Sequence, residues 1–146
     1  MPPINVLIYS GPGTSPSALA HATHTLTALL TPHHAVHPLT PTQLLSEPWP
    51  ATCALLVIPG GADTAYTQTL EGEGNRRIQR YVHGGGKYLG LCAGGYYGCR
   101  RCEWEVGRAG MEVVGERSLG FFPGVGRGSV VPGFVYRAEV GARAVG

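Results

Sequence analysis

Gly90-Leu91-Cys92-Ala93-Gly94 sets a cysteine between glycines two places before it and two places after it. This G-x-nucleophile-x-G spacing is what a nucleophile elbow requires. The reactive side chain stands on a strained strand-to-helix turn, and the helix packs back on the strand only where both flanking positions lack bulk. A cysteine there lies at a helix start, where the local dipole favours its thiolate. The Ala93 N–H would face an oxyanion, and the loop holding Gly60 and Gly61 would add a second backbone donor for a tetrahedral intermediate. The competing reading is a small buried cysteine in a glycine-rich loop, and only a strand–turn–helix context separates the two.

The remaining reactive side chains form weaker patterns. Cys99 and Cys102 make a C-x-x-C, "CRRC", expected about two turns into the helix that follows Cys92. The arginines between them would lower a thiol pKa, so a redox pair stands against two ordinary thiols. Cys53 opens an apolar run and reads as core. His21 and His24 are spaced i, i+3, and His33, His34 and His37 cluster in a short stretch. None has zinc-type spacing, so no metal and no cofactor are expected. His83 precedes a glycine stop and serves the helix dipole. Tyr66, Tyr96 and Tyr97 follow glycine loops, where they either line a pocket or pack on the sheet.

These residues need elements to hold them. "INVLIYS" (4–10) is a continuous apolar run ending in "GPG", which predicts a buried strand feeding a tight loop. Ser15 then caps a helix with Pro16 in its first turn, and Leu19, Ala22, Leu26, Leu29 and Leu30 form its apolar stripe. Residues 33–39 read as a second strand, and "TPTQLL" repeats the cap-then-proline signal, with Thr40 as cap, for one helical turn. "CALLVIP" (53–59) is a third strand running into "PGGAD". Residues 75–86 fit a helix with Ile78 and Val82 on one face, stopped by glycines. "KYLGL" (87–91) is the next strand. Beyond Glu103, "EWEVG", "MEVVGE", "FFPGVGRGSVV" and "GFVYRAEVG" read as short strands and hairpins. Strands alternating with helices predict an α/β fold: a doubly wound, mostly parallel sheet with a short-strand hairpin region in the C-terminal third. Three glycine loops, "SGPG", "PGGAD" and "CAGGYY", leave strand ends, where such sheets build their sites.

Composition narrows the function classes. The 146 residues are 43% hydrophobic and 14% charged, enough for a core in one domain spanning 1–146. A net charge of +2, with no basic run beyond Arg100 and Arg101, implies no nucleic-acid partner. No stretch is long enough to span a bilayer and the N-terminus has no signal-peptide pattern, so no membrane role and a cytoplasmic location are expected. Four cysteines in that compartment are expected as reduced thiols.

"GLCAGGYYG" together with "VIPGGAD" resembles the class I glutamine amidotransferase superfamily, whose fold is flavodoxin-like. The chain is more closely similar to the amidotransferase-like N-terminal domain of fungal biotin–protein ligases. That likeness is carried by "NVLIYSGPGTSP", "EPWPATCALLVIPGGADTAY", "GGGKYLGLCAGGYYG", "MEVVGERSLGFFPGVGRG" and "GFVYRAEVGARAV", in the same order over nearly the whole chain. The resemblance implies Cys92 as nucleophile, Ala93 and Gly61 as oxyanion donors, and Gly60, Ala62 and Asp63 beside the substrate. Gly11, Tyr66, Gly94 and Tyr96 complete the expected binding set. Class I amidotransferases also carry a His-Pro-Glu segment near the domain's C-terminus, and no histidine follows His83 here. The chain therefore reads as a shortened domain without its base. Two functions are expected: a cysteine-dependent amidase or glutaminase-like hydrolase working through a thioester, or an inactive module that binds a small amide or carboxylate. A sheet that ends early also exposes an edge, which a second copy or a partner chain would cover.

Overall fold

The structure is a computed structural model that describes residues 2–130, 135 and 136. β1 (Asn5–Tyr9), β2 (Ala35–Leu39), β3 (Cys53–Ile58) and β4 (Tyr88–Gly90) form a parallel sheet in the order β2-β1-β3-β4. α1 (Pro16–Leu30) covers one face. α2 (Pro41–Ser46), α3 (Asp63–Leu70), α4 (Glu73–His83) and α5 (Ala93–Tyr97) cover the other. The α/β, mostly parallel, flavodoxin-like fold read from the sequence is the fold observed.

The period-two alternation of the strands divides the core. Val6, Ile8 and Val57 meet Ala22, Leu19, Leu26 and Leu30 of α1. Leu7, Tyr9, Leu56 and Ile58 meet Leu44, Tyr66, Leu70, Ile78, Tyr81 and Tyr97 on the opposite side. Leu29, placed in the α1 stripe above, is 73% exposed. It falls on the outer flank of the stripe, while Leu30 in the same turn packs on the sheet. Both expected caps form: Ser15 Oγ accepts from Ala18 N at 3.4 Å, and Thr40 and Gln43 close a capping box at α2.

One helix was not foreseen and one expectation is corrected. α3 has no counterpart in the sequence reading, because its polar "DTAYTQTL" shows only Tyr66 and Leu70 as a short apolar spacing. The helix after Cys92 is one turn long and closes at Gly98, so "CRRC" lies in β5 (Cys99–Trp104), not in a helix. β5 pairs antiparallel with β6 (Val113–Glu116) and parallel with β7 (Phe122–Gly128), giving a second sheet in the order β6-β5-β7. The expected strand "GFVYRAEVG" falls outside the described residues apart from Val135 and Tyr136. Among the described residues no helix is long and apolar enough to cross a membrane.

The second sheet is closed at one end by a buried carboxylate. Glu105 accepts from Ser129 Oγ at 2.5 Å, Tyr136 OH at 2.7 Å and Arg108 Nη1 at 2.5 Å. Those bonds hold its carboxyl down at about 2, from an ordinary 4.5. A depressed carboxyl stabilises the fold above its ordinary value, and that contribution is lost as pH falls through the folded value. The melting temperature is therefore expected to fall between pH 4.5 and pH 2, and Glu105→Gln to melt lower at neutral pH with a shallower loss across that window. Thermal unfolding followed by circular dichroism checks both.

Candidate functional site

Because β1, β3 and β4 are neighbours running the same way, the loops that leave them emerge side by side. The first two are joined backbone to backbone. Ser15 N donates to Gly60 O at 3.0 Å and Ala62 N to Gly13 O at 2.8 Å, forming a bridge between Thr14 and Gly61. In this pattern the directly opposed residues do not bond each other, so the Gly61 N–H stays outside the ladder. A Cβ on Gly61 would stand 1.8 Å from Gly13 O, so this approach admits only glycine. A Cβ on Gly60 would stand 3.4 Å from Cys92 Cβ and 3.4 Å from Ala18 Cβ. Gly60 thus adjoins both the cysteine and the start of α1.

Cys92 sits at φ 50°, ψ −114°, and is exposed. A non-glycine residue in that sparsely populated region costs about 1–3 kcal/mol. The surrounding backbone enforces it. Leu91 N donates to Ile58 O at 3.0 Å, and a Cβ on Gly94 would lie 1.9 Å from that same oxygen. A Cβ on Gly90 would lie 2.4 Å from Gly94 O. Both glycines of the motif are thus demanded by backbone packing of α5 on β3 and β4. Gly94, Gly95 and Tyr96 send their N–H groups to Leu91 O and Cys92 O. That of Ala93 is not among these bonds.

Several residues expected at the substrate have structural contacts of their own. Tyr66 is 0% exposed, and its hydroxyl donates to Pro59 O at 2.7 Å, under the glycine loop. Burial pushes that phenol up to about 12. The Asp63 carboxylate is buried and receives Arg117 Nε at 2.8 Å, with side-chain exposures of 9% and 8%. Gly11 packs against Pro41 and Tyr9, where a Cβ would come within 2.4 Å of both. Tyr96 is half-buried and stacks on Trp104 with ring centroids 4.4 Å apart. Its hydroxyl is pushed up to about 12, chiefly by burial and then by neighbours that include Cys92. Gly61 and Ala62 are exposed beside the exposed Cys92.

The histidines lie elsewhere. His34 Nδ1 is 3.3 Å from Ile4 O, at the starting ends of β1 and β2, and His83 ends α4 ahead of β4. Parallel strands carry those positions to the end of the sheet opposite the glycine loops. His21, His24, His33 and His37 are exposed on α1 and around β2. Among the described residues no group of three or more His, Cys, Asp or Glu could hold a metal ion. Cys99 and Cys102 lie three apart in β5, and the Cys99 thiol donates to Gly95 O of α5 at 3.4 Å. The Cys102 thiol donates to Asp63 Oδ2 at 3.4 Å and to Tyr96 O at 3.2 Å, and burial first, then the Asp63 charge, pushes it up to about 12. Burial also raises Cys99. Neither shift favours the thiolate a redox pair needs.

Sequence reasoning missed the groups that brace the site from behind. Tyr97 OH donates to Asn75 Oδ1 at 2.8 Å, Asn75 Nδ2 donates to Ser118 Oγ at 2.7 Å, and Ser118 Oγ donates to Glu71 Oε2 at 3.0 Å. Together with Asp63–Arg117 they tie α3, α4 and α5 to the segment before β7. Their separations, up to 54 residues, leave no local signal.

The family model described as "Biotin-protein ligase, N terminal" matches residues 4–146. The chain belongs to this biotin–protein ligase N-terminal family. It is 43% identical over 140 residues to a biotin–protein ligase of Schizosaccharomyces pombe, covering 96% of this chain and 22% of that protein. It is likewise 43% identical over 125 residues to an uncharacterised protein of Chlamydia muridarum, covering 84% of this chain and 48% of that one. The chain thus spans less than half the length of either relative.

In this member of the biotin–protein ligase N-terminal family, the packing at Ile58 predicts a contrast between adjacent glycines. Gly94→Ala meets the Ile58 carbonyl and is expected to cost about 3 kcal/mol, the upper end of ordinary overpacking. At Gly95 the nearest atom to an added Cβ is Gly90 O at 3.5 Å, so Gly95→Ala is expected to be neutral or to gain up to about 1 kcal/mol from helix propensity. Urea unfolding of the two variants measures the difference.

Proposed function

We propose that this chain is a binding module of the biotin–protein ligase N-terminal family that takes a small carboxylate or amide at the Cys92 turn. The Ala93 and Gly61 N–H groups hold the ligand oxygen, and Cys92, Gly60 and Ala62 bound it. One observation carries the choice of a module over a hydrolase. The histidines sit at the other end of the sheet or on its outer surface, and Asp63 is engaged by Arg117. Hydrolytic turnover needs a base that takes the thiol proton and later activates water. A cytoplasmic setting goes with this reading, since the four cysteines are free thiols. A second copy or a partner chain along the β4 edge, which no further strand pairs among the described residues, is also part of it.

A second reading is supported by the exposed, strained position of Cys92. In it the Cys92 thiolate attacks the carbonyl carbon of an amide, the C–N bond breaks, ammonia leaves with a proton, and water hydrolyses the thioester. Its base would come from a group outside those described.

Incubation with a glutamine-derived chloroketone, followed by intact mass, separates the readings. The expected result is a single adduct in the wild type, none in Cys92→Ser, and no ammonia released from glutamine above the buffer rate. Labelling that persists in Cys92→Ser would remove Cys92 from the site. Ammonia release that disappears with Cys92→Ser would establish the hydrolase instead.

A further inference from the structure

A cleft of about 390 Å³ opens between the turn that follows α2 and the second half of α4, lined by Pro48, Pro50, Ala51, Arg77, Arg80 and Tyr81. Both elements lead into the starting ends of β3 and β4, so the cleft lies at the far end of the sheet from Cys92.

The walls are preset. Trp49, between the two prolines, donates its Nε1–H to Leu44 O at 2.9 Å and packs on Tyr81 with ring centroids 5.1 Å apart. The Tyr81 hydroxyl accepts from Lys87 N at 3.1 Å and donates toward Lys87 O at 3.3 Å. Proline rings fix the backbone on either side. These walls keep their shape when a ligand enters, so the reordering on binding is confined to the Arg77 side chain.

The charge is unbalanced. Glu73 serves Arg76 at 3.1 Å and Arg80 at 3.2 Å, leaving most of the Arg80 side chain exposed. Arg77 has no carboxylate partner among the described residues. Its Nη2 donates to the Glu47 carbonyl, and its Nε–H is buried without an acceptor. A buried donor without a partner is a standing penalty. Turning the guanidinium fork into the cleft would remove that penalty if an anion waited there. Two parallel N–H groups match the two oxygens of a carboxylate. One unneutralised guanidinium matches one negative charge, which suits a carboxylate better than a phosphate dianion. The two prolines and the Tyr81 ring suit an apolar body attached to it.

We propose that this cleft binds a small carboxylate with an apolar body, its carboxyl gripped by Arg77 and Arg80. The site is independent of Cys92 and of any ligand held there.

Benzoate, benzamide and inorganic phosphate, each titrated into the full chain and followed by NMR, test the proposal. Benzoate is expected to saturate a shift of the Arg77 Nε–H and the Ala51 amide, with benzamide and phosphate binding at least about tenfold more weakly, as loss of the ionic contact requires. Arg77→Gln is expected to weaken benzoate by about tenfold with the melting temperature unchanged, while Cys92→Ser leaves its affinity alone. Equal binding of benzamide, tighter binding of phosphate, no saturable shift at millimolar benzoate, or unchanged affinity in a folded Arg77→Gln would each overturn it. Should Arg77→Gln not fold, Arg80→Gln and the comparison of benzoate with benzamide on the wild type decide the matter.

Discussion

The carbonyl oxygen of Ile58 is the point at which strand, turn and helix meet. It accepts the Leu91 N–H at 3.0 Å, and it leaves no space for a Cβ at Gly94. With β4 registered on β3 and α5 pressed against the same oxygen, the chain has one way round between them, through the strained backbone of Cys92. The thiol is pushed outward as a consequence of packing that the two flanking glycines permit. The same logic governs the neighbouring loop, where the Gly13 carbonyl stands too close to Gly61 for any side chain. Close backbone approaches of this kind hold the three loops together without a charged group in the middle.

What holds the rest in place is polar and buried. Asp63 opens α3 directly after the glycine loop, and Arg117 reaches it from the end of β6 at 2.8 Å. Removing one member of such a pair strands the other charge out of water, which is far more damaging than the pair itself is stabilising. Tyr97 of α5 reaches Asn75 of α4, and Asn75 reaches Ser118, so the helix that presents Cys92 is tethered to the same segment as Asp63. Through these contacts the second sheet supports the loops while leaving Cys92, Gly61 and Ala62 exposed. A residue that looks chemically promising in the sequence, such as Asp63 or Cys102, is used up in this scaffold.

The main strands, the caps at Ser15 and Thr40 and the turn at Cys92 were legible because each rests on neighbours in the chain. Apolar runs make strands, side-chain oxygens cap the next turn, and a G-x-C-x-G spacing answers a local steric demand. α3 was not legible, because a helix covering a sheet needs only Tyr66 and Leu70 to face inward. The fate of "CRRC" turned on where α5 stopped, a matter of one helical turn ending at Gly98. The tyrosines were open to two readings, and burial decided for Tyr66 and Tyr97 as props beneath the loops.

The sequence alone determined the four parallel strands, the helices α1, α2 and α4, the glycine positions and the presence of a cysteine on a strand-to-helix turn, since all of these follow from contacts between near neighbours. Only the tertiary structure decided which charged and aromatic side chains remain available around that cysteine. Asp63 and Arg117 are 54 residues apart, and their meeting depends on how the second sheet packs against the first. The histidines, suggestive as a list, are carried to the other end of the sheet or to its outer surface by the parallel direction of the strands.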